Sequence, residues 1–295
     1  MRKAFAVCMR RFSSDINVFF LTVDVGFMAL EEVRDAFGDR FINAGVAEQN
    51  LIGVSAGLAK EGYKVFAYSI APFLYARPFE QIRNDICFSN LPVCLVGNGG
   101  GYAYGHMGPT HHALEDCAAM SALGVRVLVP AFDKDMESIL KDITGPTYLR
   151  LGYDAKPAGF EVPEYAACRK VLDGKRGHLL ALGPMAGVAL QAFIECGFAN
   201  RPSVWAITEL DVNVFPYELW AGIKDGQLYI VEEHVASGGL GMQIAHSLAI
   251  KGIHPTKFIH RHALGYPSGT YGSQDFHRKQ CGLDCDSLRL MLTEQ

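Results

Sequence analysis

The sequence predicts an α/β protein of two domains, each a mostly parallel sheet flanked by helices. Three observations carry that prediction. Short apolar strands alternate with helical stretches along the whole 295 residues. Runs such as PVCLV and RVLVP are apolar without interruption, as parallel strands covered by helices on both faces are. The alternation lapses once, between about residues 153 and 176, and then starts again.

In the first unit the strand candidates are VFFLTVDV (18–25), KVFAYSI (64–70), PVCLVGN (92–98), RVLVPA (126–131) and TYLRLG (147–152), with helices between them. The helix EQNLIGVSAGLAKEG opens at Glu48. Its small residues Gly53, Ser55, Ala56, Gly57 and Ala59 let a neighbour lie close to its backbone. The lapse, YDAKPAGFEVPEYAACRKVLDGKR, is rich in charge and turn formers. It divides the chain into a first domain at 1–158, a linker at 159–176 and a second domain at 177–295. The second domain carries strands HLLALG (178–183), SVWAIT (203–208), QLYIVEE (227–233) and TKFIHR (256–261).

Composition narrows the class. With 49% hydrophobic and 20% charged residues the chain can bury a full core. A net charge of −4 and the lack of any Lys/Arg-rich run leave no field suited to nucleic-acid phosphates. The eight cysteines form no CxxC pair and read as small buried hydrophobes in a reducing compartment. Cys281 and Cys285 lie one helical turn apart without a second ligand pair, so no metal site is expected on this chain. Arg10 and Arg11 interrupt the N-terminal apolar patch too early for a secretory signal, and no apolar run approaches the roughly 18 residues of a membrane span. A cytoplasmic location is expected.

Four segments carry the chemistry. FINAGVAEQN (41–50) places Glu48 at a helix start, where it can complement the helix dipole or serve a reaction. APFLYARPFEQIR (71–83), GHMGPTHHALED (105–116) and VEEHVASGGLG (231–241) follow in order. The first three together resemble the pyrimidine-binding domain of the transketolase family, and the fourth resembles that family's C-terminal domain, so the resemblance covers nearly the whole chain. The family's additional domain, which grips the diphosphate of thiamine diphosphate through Mg2+, carries a GDG motif. Here the only Asp-Gly pairs, Asp173-Gly174 and Asp225-Gly226, are not preceded by Gly. The resemblance therefore implies the small subunit of a split transketolase-like enzyme. A large partner subunit would hold the diphosphate and Mg2+, and an α2β2 heterotetramer is expected.

On the same resemblance, Glu48 matches the acid that shares a proton with the aminopyrimidine ring of thiamine diphosphate, and a water-poor pocket favours such sharing. Phe73 matches the aromatic stacked on that ring. Val25 matches a residue lining the pocket, and the C-terminal ends of strands are where α/β sheets hold ligands. Arg77 is either a further cofactor contact or a structural partner of Glu80 or Glu115. His111 matches a cofactor or substrate contact and is expected to open a helix capped by Thr110, with His112 structural. The glycines Gly99, Gly100 and Gly101 form a loop that either approaches a ligand or acts as a hinge.

The departures concern substrate. Transketolases acting on sugar phosphates use a His, an Asp, a Ser and an Arg at positions that fall here on Gly99, Met107, Met28 and Tyr153. A phosphate site without its cations is absent or rebuilt. Gly99, Tyr102, Tyr104, His106 and Arg150 are the candidates for holding a different sugar, unphosphorylated or nucleotide-linked. The strand-to-helix turn EEH…GGLG reads as structural, since it lacks GxGxxG, and Glu232, Glu233 and His234 are placed at the subunit interface. The implied reaction moves a two-carbon ketol unit from a ketose-like donor to a carbonyl acceptor. The alternatives are a carboligase or decarboxylase subunit like 1-deoxyxylulose-phosphate synthase or the ketoacid dehydrogenase β chain, and a non-catalytic structural or regulatory subunit. An acid beside a stacking aromatic argues against the last.

Overall fold

Two sheets organise the chain in the computed structural model, which describes residues 1–26 and 28–294. Six strands, β1 (Val18–Thr22), β2 (Phe41–Asn43), β3 (Lys64–Ile70), β4 (Val93–Asn98), β5 (Arg126–Leu128) and β6 (Thr147–Leu151), form a fully parallel sheet in the order β2-β1-β3-β4-β6-β5. β3 is buried at every position from Val65 to Ser69, as its unbroken apolar run requires. One face of the sheet is covered by the helix Arg2–Phe12, which buries Phe5 and Met9 against Phe20, Phe66 and Tyr68. The other is covered by the helix Glu48–Lys60, which buries Leu51, Ile52, Ala56 and Ala59 along one stripe.

The second sheet holds β7 (Cys168–Leu172), β8 (His178–Leu182), β9 (Ser203–Ile207), β10 (Gln227–Val231) and β11 (Lys257–Arg261), in the order β11-β10-β8-β9-β7. β7 runs antiparallel to β9, and the other pairs are parallel. β7 lies inside the segment read as linker, so the boundary of 159–176 is corrected: the second sheet begins at Cys168. The two units share backbone pairing at their seam, where Val129 N–H donates to Thr208 O at 2.8 Å and Val235 N–H to Leu114 O at 2.8 Å. Among the described residues, no helix is long and apolar enough to cross a membrane.

Glu232, Glu233 and His234 are buried within this chain, so the expectation of a subunit interface there is also corrected. Glu232 accepts from Leu240 N–H at 2.8 Å and Gly241 N–H at 2.9 Å, satisfying the first amides of the helix Leu240–Lys251. A Cβ at Gly239 would stand 2.5 Å from that carboxylate, which explains the glycine.

Connections on both sides of β1 set the site. From β1 the chain passes outward to β2 and then returns inward to β3, so the strand order reverses there, and in such sheets the crevice at the carboxyl ends is the ligand position. The segments after β2, β3 and β4 deliver Glu48, Phe73 and Gly99 to that end.

Candidate active site

Glu48 is the first residue of its helix and is 4% exposed. Its carboxylate faces the segment after β3, where Arg77 Nη1–H donates to Glu48 Oε1 at 2.6 Å. The same guanidinium lies over the Phe73 ring, 3.8 Å from its centroid. Acid, arginine and aromatic thus form one clamp. The choice of partner for Arg77 falls on Glu48, not on Glu80 or Glu115.

The clamp continues into a wall of rings. His111 meets Phe73 edge-on at 5.2 Å between ring centroids, and Tyr104 lies 5.8 Å beyond His111. Tyr104 OH accepts from Asn98 Nδ2–H at 2.8 Å, at the end of β4. Burial pushes the Tyr104 phenol up from its ordinary range, so it stays a neutral hydrogen-bonding group. Gly99, at φ +80°, carries no side chain because the Tyr104 ring occupies the volume a Cβ would need. An open depression of about 570 Å³ lies before Glu48, lined by Val46, Ala47, Gln49, Asn50 and Arg77. Val46 at its rim is 77% exposed, and the Gly53 and Gly57 faces of the helix meet open space.

The structure brings Glu48, Phe73, Arg77 and His111 together. Val25 instead lines a separate depression of about 410 Å³ at the end of β1, beside Thr22, Asp24 and Arg34. His106 is exposed on the 3-10 turn Gly105–Thr110. His111 does not open a helix: Gly108 at φ +72° and Pro109 break the turn, Thr110 Oγ1 bonds the His111 ring at 2.9 Å, and the next helix starts at Asp116. Of the departure positions, Met28, Met107 and Tyr153 are exposed.

Tyr102 and Arg150, expected as substrate ligands, are corrected. Tyr102 is fully buried between the two units, its OH donating to Gly265 O at 2.7 Å and its ring stacked on His277 at 4.7 Å. Arg150 is buried too, donating to Asp116 Oδ2 at 2.8 Å, Ala113 O at 2.7 Å and Glu233 O at 2.9 Å. Burial pulls the Arg150 pKa down, and the Asp116 carboxylate, with its hydrogen bond and the neighbouring Cys117 and Tyr148, together pull it up further, so the guanidinium is held charged. Both side chains are committed to bonds within the chain.

His112 is buried beside them. Its Nε2–H donates to Gly105 O at 2.9 Å, which leaves Nδ1 to accept from Tyr266 OH at 2.8 Å. Burial lowers its pKa, and burial also lowers that of His277. Asp116, Cys117 and His234 cluster within 4.8 Å with metal-ligand chemistry, and Asp116 Oδ1 has no hydrogen-bond partner. Both His234 nitrogens are engaged, however, Nδ1 with Val235 O at 2.7 Å and Nε2 with Ala118 N–H at 3.2 Å. That leaves the cluster without a nitrogen ligand.

The family model of the transketolase pyrimidine-binding domain matches residues 1–153. The chain is 32% identical over 248 residues to one of the subunits of an apulose-4-phosphate transketolase from Phocaeicola vulgatus, covering 80% of this chain and 78% of that protein. It is 32% identical over 268 residues to a putative transketolase C-terminal section of Methanocaldococcus jannaschii, covering 88% and 84%. Among solved structures, a split-gene transketolase seen as an inactive beta4 tetramer superposes with a TM-score of 0.83 at 28% identity, covering 99% of this chain and 96% of that one.

Proposed function

The chain belongs to the transketolase family, and from that premise we propose that it is the subunit of a thiamine diphosphate-dependent ketol transferase that holds the aminopyrimidine end of the cofactor. A large partner subunit grips the diphosphate through Mg2+, in a heterotetramer with two copies of each chain. The ring-holding unit is the first sheet, and the second sheet from Cys168 onward is the family's C-terminal domain. The exposed Val46 and the open Gly53 and Gly57 faces beside Glu48 support a partner docking there.

One observation carries the reading. A buried carboxylate stands beside an aromatic face with room between them for a flat group that hydrogen-bonds the acid through an in-plane nitrogen, and the Arg77 guanidinium sits in that slot at 2.6 Å from the acid and 3.8 Å from the ring centroid. When bound, thiamine diphosphate supplies the electron sink for the two-carbon unit. Glu48 holds a proton at its carboxylate against the ring nitrogen opposite the amino group. Phe73 fixes the plane of the ring and excludes water from that hydrogen bond. His111 buttresses Phe73, with the two rings meeting edge-on at 5.2 Å between centroids. Tyr104 and Asn98, neutral donors and acceptors, suit hydroxyl groups of a ketose-like donor or carbonyl acceptor.

The test is reconstitution with the large subunit, thiamine diphosphate and Mg2+, assaying ketol transfer from hydroxypyruvate to an aldehyde. Glu48→Gln is expected to lower turnover by about 10²- to 10⁴-fold while the complex still assembles. Undiminished turnover would refute the role of Glu48.

A further inference from the structure

We propose that Arg77 occupies, in the cofactor-free chain, the place of the cofactor's aminopyrimidine, so that cofactor binding exchanges one flat, nitrogen-rich group for another. The inference rests on the proposed ring site at Glu48 and Phe73, and it changes the role of Arg77 from ligand to resident stand-in.

Three features support it. The guanidinium is planar with N–H donors in its plane, and it meets both surfaces the ring requires: the Glu48 carboxylate at 2.6 Å and the Phe73 face at 3.8 Å from the centroid. Stacking on the Phe73 face and a short bond to Glu48 Oε1 cannot be shared with a second flat group in the same slot. Second, the Glu48 side chain is 5% exposed, and among the described residues Arg77 supplies the one side-chain hydrogen bond to its carboxylate, so the cation fills the slot of the cofactor-free chain. Third, the Arg77 side chain is 44% exposed, and Glu48 is the one side chain with which it forms an ion pair or hydrogen bond among the described residues. It can swing out into the depression before Glu48 without disturbing the core. His111 packs against Phe73 edge-on, so the ring keeps its place when Arg77 leaves.

The contrast with a ligand role is one of sign. A ligand strengthens binding, whereas a stand-in competes with it by the strength of its own ion pair and stacking. That competition, in a half-exposed setting, amounts to about tenfold in affinity.

Thiamine, which carries the aminopyrimidine without the diphosphate held by the partner, is the probe. Its binding to the full chain is measured by titration calorimetry and by ligand NMR for wild type, Arg77→Ala and Arg77→Gln. The Arg77→Ala chain is also combined with Glu48→Gln or Phe73→Ala. Arg77→Ala is expected to bind thiamine about tenfold more tightly than wild type, with Arg77→Gln between them and both double variants losing the gain. Equal or weaker binding by Arg77→Ala, or none measurable, overturns the proposal. If thiamine binds Arg77→Ala tightly and the double variants bind as well, the ring lies elsewhere and the site assignment itself fails. Circular dichroism and thermal unfolding of each variant establish that the chain is folded, and the intermediate Arg77→Gln keeps the comparison decisive should the alanine variant be unstable.

Discussion

The clamp around Glu48 and the seam around Glu233 use the same kinds of side chain, an acid, an arginine and aromatic rings, to opposite ends. At the seam, Glu233 accepts from Tyr102 N–H at 2.6 Å, Arg278 Nε–H at 2.6 Å and Gln274 Nε2–H at 2.8 Å, and Arg150 reaches its backbone carbonyl. Both arginines there are buried. At the clamp, Glu48 has one arginine, and that arginine is half exposed. A saturated, buried network fixes two domains against each other, whereas an acid with a single displaceable partner is poised to change partners. Residue type does not separate the two regions, but the number of partners and their exposure do.

The comparison is broken most severely at Arg150. Arg150→Met leaves Asp116 buried without its cation and the Glu233 carbonyl without its Arg150 donor, while Ala113 O keeps the Gly101 N–H, and is expected to cost about 3–5 kcal/mol of unfolding free energy. The Arg77 pair, discounted for solvent screening, is expected to cost Arg77→Ala no more than about 1 kcal/mol. Chemical denaturation of both variants measures the difference, and equal losses would erase the distinction between seam and clamp.

A pH series sharpens it further. His112 and His277 at the seam have pKa values lowered by burial. The unfolded chain therefore takes up their protons first as pH falls. Their contribution to stability is complete above the unfolded value near pH 6.5 and is lost below it, toward the lower folded values, with each histidine worth at most about 1.4 kcal/mol per pH unit. Denaturation midpoints between pH 7.5 and pH 5 are expected to fall, and His112→Gln is expected to flatten the decline. An unchanged slope would show that His112 is not the buried neutral group described. A loss of about 1 kcal/mol by the same measurement is expected for Tyr104→Phe, which removes the bond to Asn98.

The sequence made the sheets legible and part of the site. Nine strands were readable from apolar runs because parallel strands covered on both faces are apolar throughout, and the buried stripe of the helix Glu48–Lys60 follows from its spacing. β2 escaped notice because it is three residues long and only partly buried. β7 escaped because it is an antiparallel edge strand, with Lys170 exposed within a charge-rich stretch. The clamp residues were legible from their segments. Tyr102 and Arg150 were misplaced because their burial comes from docking of the second sheet, more than 80 residues away for the bond to Glu233, which no local pattern announces.

The most direct measurement is a structure of the complex between this chain and the proposed large subunit with thiamine diphosphate and Mg2+ bound. The expected result is the aminopyrimidine stacked on Phe73, its ring nitrogen within hydrogen-bond distance of Glu48, and the Arg77 guanidinium displaced from both. A ring bound elsewhere, with Arg77 still paired to Glu48 over Phe73, would contradict the account.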